Sequence, residues 1–163
     1  MQFATLEAFM THSQTPIVIL LKTWQDAKLD AYPIRKCVFV EEQGVPEEME
    51  LDEFDLNAQH ALAYAGPECI GTARLVTLSG SVGSIGRIGR MAVLPKHRGQ
   101  GIGKQLLKGL LKASQSQEIK QVELHAQVSV IPFYEQFGFI AQGDVYEEAG
   151  IPHRDMILRI QQY

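Results

Sequence analysis

Several signals are missing from this chain, and each absence narrows what it can be. Only two cysteines occur in 163 residues, Cys37 and Cys69. Neither sits in a CxxC pair, and no histidine lies at a metal-ligand spacing from them, so two free buried thiols are expected and no metal. The longest apolar run, Ile17 to Leu21, is far too short to span a bilayer. No charged stretch followed by an apolar one opens the chain, so no signal peptide is expected and a cytoplasmic protein off the membrane is the default. Positive charge is in deficit: 15 Lys+Arg stand against 19 Asp+Glu, a formal net charge of −4. A general nucleic-acid binder needs a net basic face, so nucleic acid is not an expected partner. Internal repeats, low-complexity tracts and linkers are absent too.

What is present is ordinary for a globular protein: 45% hydrophobic and 21% charged residues. The length suits a single domain over residues 1–163, with residues 1–14 as an N-terminal extension. Phe3 to His12 could form a short helix, ended by Thr15-Pro16. Ile17 to Trp24 reads as a strand and Asp30 to Gln43 as a helix, with Pro33 in its first turn. Residues 44–59 read as an acidic loop. His60–Ala65, Cys69–Thr77 and Ser84–Leu94 read as strands joined by short turns. Gly101 to Gln115 is the clearest helix, with Leu106, Leu107, Leu110 and Leu111 at helical spacing. Lys120 to Gln127 alternates as a strand should. A short helix, Val130 to Phe137, stops at Gly138, and Phe139–Val145 and Arg154–Ile160 are the last strands. This order predicts an α/β (α+β) mixed sheet of about six to seven strands flanked by about four helices.

Chemistry concentrates at one place. After the strand ending Met91-Ala92-Val93 comes Arg98-Gly99-Gln100-Gly101-Ile102-Gly103-Lys104, and then a helix. Glycines let backbone approach a ligand, and the first N–H groups of a helix have no internal partner. With the helix dipole they form an anion site. From Lys96 to Lys112 there are five basic residues and no acid. A Walker A loop fails here twice: Arg98 stands where a glycine is needed, and Gln105 follows Lys104. The dinucleotide fingerprint fails at Lys104.

The string Arg98-x-x-Gly101-x-Gly103 resembles the [Q/R]-x-x-G-x-[G/A] motif of the GNAT (Gcn5-related N-acetyltransferase) family. Phe133-Tyr134-Glu135-Gln136-Phe137-Gly138-Phe139 resembles that family's F-Y-x-x-x-G-F. Arg35 to Pro46, Ala126-Gln127 and Gly150 to His153 resemble the bacterial ElaA-like or YjcF-like subgroup. The similarity runs from about residue 28 to 160. It implies a strongly twisted sheet splayed near its middle, with acetyl-CoA in the splay. The pyrophosphate would meet Arg98 to Lys104, and the pantetheine arm would meet the backbone of Met91, Ala92 and Val93, with Phe133 and Gln127 nearby. Many members have Asn where this chain has Gln127. Dimers are common in the family, so a homodimer is left open.

Acyl transfer to an amine requires a neutral amine, a stabilised oxyanion and a protonated leaving thiolate. Tyr134 is the expected acid, because a phenol of pKa near 10 is protonated at pH 7 and can donate to a thiolate. The Val93 backbone N–H could hold the oxyanion. Glu42, His60, His125 and His153 are candidate bases, and Glu42 and His153 are favoured because both lie in subgroup-like motifs. Glu41 to Asp55 holds eight carboxylates and no Lys or Arg. A negative mouth there would attract a small cationic amine acceptor. An acyl-CoA sensor without turnover is the alternative, and a mononucleotide-binding protein a weaker one. In a thermal-shift titration, acetyl-CoA and CoA should raise Tm with concentration. Stabilisation by ATP or NAD alone would overturn the loop assignment.

Overall fold

The computed structural model of the chain describes residues 15–80 and 83–161. The expected Phe3 to His12 helix lies outside them. Strand β1 (Ile17–Lys22) is followed by α1 (Trp24–Arg35) and a π-helical segment, Lys36–Glu42. The helix therefore starts earlier than its apolar spacing suggests, and Pro33 sits near its end rather than in its first turn. Pro33 offers no N–H to the turn before it, and the chain then widens to five-residue bonds such as Gln43 N–H to Val38 O at 3.2 Å.

Residues 44–59 are more ordered than an acidic loop would be. They hold a short helix α2 (Glu47–Glu50) and a 3₁₀ turn over Glu53–Asn57. Strands β2 (Gln59–Ala65), β3 (Glu68–Gly80) and β4 (Gly83–Val93) follow, then α3 (Ile102–Ser116), β5 (Gln121–Gln127), α4 (Ile131–Glu135), β6 (Ile140–Glu148) and β7 (Ile151–Arg159). The seven strands lie in the order β1-β2-β3-β4-β5-β7-β6. Every neighbouring pair is antiparallel except β4–β5, which is parallel. The mixed sheet and its four α-helices match the expected architecture.

The two sheet faces are covered unequally. On one, Leu106, Leu107 and Leu110 of α3 pack on Leu75, Ile88 and Leu124. A Cβ on Gly71 would lie 3.1 Å from Leu106 and 3.3 Å from Ile102, so a glycine lets α3 sit this close. On the other face, Ala27 and Ala31 of α1 pack on Leu62 of β2. That leaves the same face of β4, β5 and β7 for polar side chains. Among the described residues no helix is long and apolar enough to cross a membrane.

A buried ionic lattice ties the 47–57 segment to this face. Arg35 is 1% exposed, and Glu50 and Asp55 are each 2% exposed. Arg35 donates to Glu50 Oε1 at 2.6 Å, to the Glu50 carbonyl at 2.7 Å and to Asp55 Oδ1 at 2.8 Å. Arg74 of β3 reaches Asp52 at 2.6 Å and Asp55 at 3.0 Å. Arg90 of β4 reaches Asp52 and the Glu50 carbonyl, both at 3.2 Å. Burial pushes the Asp55 carboxyl up, but the Arg35 and Arg74 guanidiniums outweigh it and hold it below the usual range. A depressed carboxyl pKa stabilises the fold above the unfolded value, so this stability should be lost as pH falls below about 4. Removing one partner of a buried pair strands the other charge, so Asp55→Asn should cost about 3 kcal/mol in urea unfolding. A change within experimental error would show that the lattice is not structural.

Candidate functional site

The site begins where β4 and β5 part. Their pairing runs only from Ile85↔Gln121 to Ile88↔Leu124. Beyond that, Gly89, Ala92 and Val93 stay paired with β3, and His125 to Gln127 with β7. A bulge marks the start of the separation: Thr72 faces Ala92 and Arg74 faces Gly89, so β4 carries one residue more than β3. Arg90 takes it up with φ +53°, a left-handed conformation unusual for a side chain other than glycine. Farther along, Leu94 N–H bonds to Ile70 O at 2.9 Å. Backbone groups alternate sides along a strand, so Val93 turns its N–H into the gap. On that open side the Val93 carbonyl accepts from Arg98 Nε at 2.9 Å.

The glycine loop closes one end of the gap. Gly99 and Gly101 have φ +78° and +77°, and open space surrounds the position where a Cβ would stand on each. Left-handed backbone, not crowding, therefore calls for glycine here. Gly101 caps α3 without a side-chain bond. The first N–H groups of a 15-residue helix thus face the gap with the helix dipole behind them. Lys104 lines the same cavity. Arg98 turns instead toward Glu42, with two bonds of 2.7 Å. The groups left to meet an anion at this end of the gap are therefore backbone N–H groups and Lys104.

A cavity of about 830 Å³ fills the gap, from Arg98–Lys104 past Met91, Ala92 and Val93 to the 45–54 segment and the β6–β7 turn. Tyr134 reaches it from α4. The ring is 9% exposed, and its hydroxyl donates to Met91 Sδ on β4 at 3.4 Å. Burial pushes the phenol up to about 12, so it stays protonated. Phe133 lies 5.1 Å from the Tyr134 ring and 3.6 Å from where a Gly103 Cβ would stand. It wedges α4 against the start of α3. Gln127 also lines the cavity, and its amide donates to Gln43 Oε1 at 2.8 Å, tying β5 to the π-helical segment.

The candidate bases separate clearly. Both Glu42 oxygens are held by Arg98, whose hydrogen bonds keep this carboxyl below its usual range. Glu42 is also outside the cavity wall. It fixes Arg98, and through it the Val93 carbonyl, rather than presenting a free base as its motif suggests. His60 is buried away from the cavity, 3.0 Å from the Asp55 carbonyl. His125 and His153 both line the cavity. His153 Nδ1 lies 2.7 Å from the Ile151 carbonyl, which can only accept, so Nδ1 carries the proton. In the neutral ring Nε2 keeps its lone pair, 3.5 Å from Glu148 Oε2.

Two findings were not foreseen from sequence. Five of the eight acids between Glu41 and Asp55 are paired internally: Glu42, Glu47, Glu50, Asp52 and Asp55. The expected negative mouth is therefore largely neutralised. Glu148 is, among the described residues, the one acid of the cavity wall with no Arg or Lys ion pair. In sequence it reads as one more charge in a Glu-Glu-Ala-Gly turn.

Comparison with known proteins agrees with this geometry. The family model of the acetyltransferase (GNAT) domain matches residues 27–160. YjcF of Bacillus subtilis, an uncharacterized N-acetyltransferase, is 35% identical over 78% of this chain and 89% of its own. The structure of ElaA from Escherichia coli superposes with a TM-score of 0.78 at 30% identity, covering 87% of this chain and 99% of that one. An acyl-CoA N-acyltransferase structure from Pseudomonas aeruginosa gives the same values, 0.78, 30%, 87% and 99%. The parted strands, the glycine loop and these relatives lead to one conclusion: the chain belongs to the GNAT acetyltransferase family and is an acyltransferase.

Proposed function

We propose that the protein transfers an acetyl group from acetyl-CoA to a primary amine by direct attack in a ternary complex. The observation that carries this reading is the protonated Tyr134 hydroxyl beside Met91 at the opening between β4 and β5. The donor pyrophosphate meets the α3 N-terminus and Lys104, and the pantetheine arm runs along Met91 to Val93. The amine nitrogen attacks the thioester carbonyl carbon, and its electron pair moves to oxygen, where the Val93 N–H stabilises the charge. Before that attack His153 Nε2 takes one proton from the ammonium to free the lone pair, and the second proton, lost from nitrogen as the amide forms, replaces the one that Tyr134 gives up. As the tetrahedral intermediate collapses, the C–S bond breaks and the CoA thiolate takes the Tyr134 proton.

A sensor needs no acid at the thiolate, so one variant separates the two readings. Tyr134→Phe should lower kcat about 10²-fold and leave the acetyl-CoA Kd unchanged. Because the phenol is held up near 12, wild-type kcat should not fall between about pH 8 and 10 through loss of this proton. A Tyr134→Phe enzyme with full kcat would remove Tyr134 from the mechanism.

A further inference from the structure

The 45–57 segment has its polarity reversed. Its acids Glu50 and Asp55 point inward to arginines, while Met49 is 50% exposed and Phe54 36% exposed. Leu51 and Leu56 are exposed beside them. Buried charge beneath exposed apolar side chains is the informative departure from the usual pattern. Met49 and Phe54 also line the cavity, together with Val45 and Val76, at the end away from the phosphate loop.

The charges at that end nearly cancel. Arg74 and Arg90 are paired with Glu50 and Asp52 of the lattice, and Arg87 pairs with Glu123 at 2.7 Å. Glu148 remains, with contacts only to His153 at 3.5 Å and His125 at 4.0 Å among its possible cation partners in the described residues. One carboxylate can hold one ammonium. A second charge placed farther along would meet Met49 and Phe54, whose side chains offer it neither an opposite charge nor a hydrogen-bond acceptor of comparable strength.

We propose, resting on the amine-acylation reading, that the acceptor is a monoamine with an apolar aryl or alkyl body. Its ammonium docks on Glu148, where His153 Nε2 can take the proton, and its body lies on Met49 and Phe54. This narrows the small cationic amine acceptor that the run of acids suggests to a monoamine with an apolar body.

The test measures thiol release by the full-length protein with acetyl-CoA and each of 2-phenylethylamine, hexylamine, spermidine and glucosamine. The two apolar amines should exceed spermidine and glucosamine at least tenfold in kcat/KM. The Met49→Ser/Phe54→Ser variant changes half-exposed side chains, and its folding is checked by its melting temperature. It should lose about tenfold in kcat/KM for 2-phenylethylamine, mainly through KM, with an unchanged acetyl-CoA Kd. Equal or faster turnover of spermidine or glucosamine would overturn the acceptor class and leave acyl transfer standing. An equal loss for every amine in the variant would overturn the role given to Met49 and Phe54. Acetyl-CoA binding with no thiol release for any amine would overturn acyl transfer itself, and this proposal with it.

Discussion

The structure depends on one interrupted ladder. β4 and β5 hold four registered pairs, ending at Ile88↔Leu124, and then separate. Parallel strands joined through α3 would ordinarily continue pairing. Here the β4 bulge at Arg90 redirects the strand, and Tyr134 and Phe133 of α4 stand at the opening. Backbone groups that would have satisfied a neighbouring strand are left for a ligand that can pair like one. An extended pantetheine arm, with its two amides, has that chemistry. The gap also connects the glycine loop at one end to the polar sheet face at the other, so two ligands can meet from opposite ends of one cavity.

The buried ionic lattice maintains that geometry. A left-handed residue other than glycine costs on the order of 1–3 kcal/mol and persists where its surroundings fix it. Arg90 has such surroundings: its guanidinium is held by Glu50 and Asp52, which Arg35 and Arg74 hold in turn. The lattice therefore joins α1, the 47–57 segment, β3 and the bulge into one unit. Glu42 and Arg98 do the same beside the glycine loop, joining the end of the π-helical segment to the Val93 carbonyl. Acids that resemble catalytic or recognition groups in the sequence thus serve mainly to position backbone.

Local signals made much of this legible. The α3 leucines and the Arg98–Lys104 loop follow from short-range pattern, helical spacing and glycines at a helix start, whereas Tyr134 stood out through the resemblance of the Phe133–Phe139 stretch to the GNAT motif. Pairing partners were not legible, because they come from far along the chain. Arg35 meets Asp55 20 residues away, Arg98 meets Glu42 56 residues away, and Gln127 meets Gln43 84 residues away. Without those partners an acidic run reads as a solvated loop and Glu42 as an available base. Glu148 was hidden for the converse reason, since only the hairpin turn brings it to His153. The π-helical segment gave no periodic signature that differs from an ordinary helix over so short a length.

Amide hydrogen exchange with and without saturating acetyl-CoA tests the central claim most directly. The gap between β4 and β5 as the donor site predicts protection of the Val93 amide and of the Ile102 to Lys104 amides. The outer strands β1 and β6 should exchange as before. Saturable acetyl-CoA binding without protection at Val93 and at the start of α3, or with protection confined to another surface, would contradict the account.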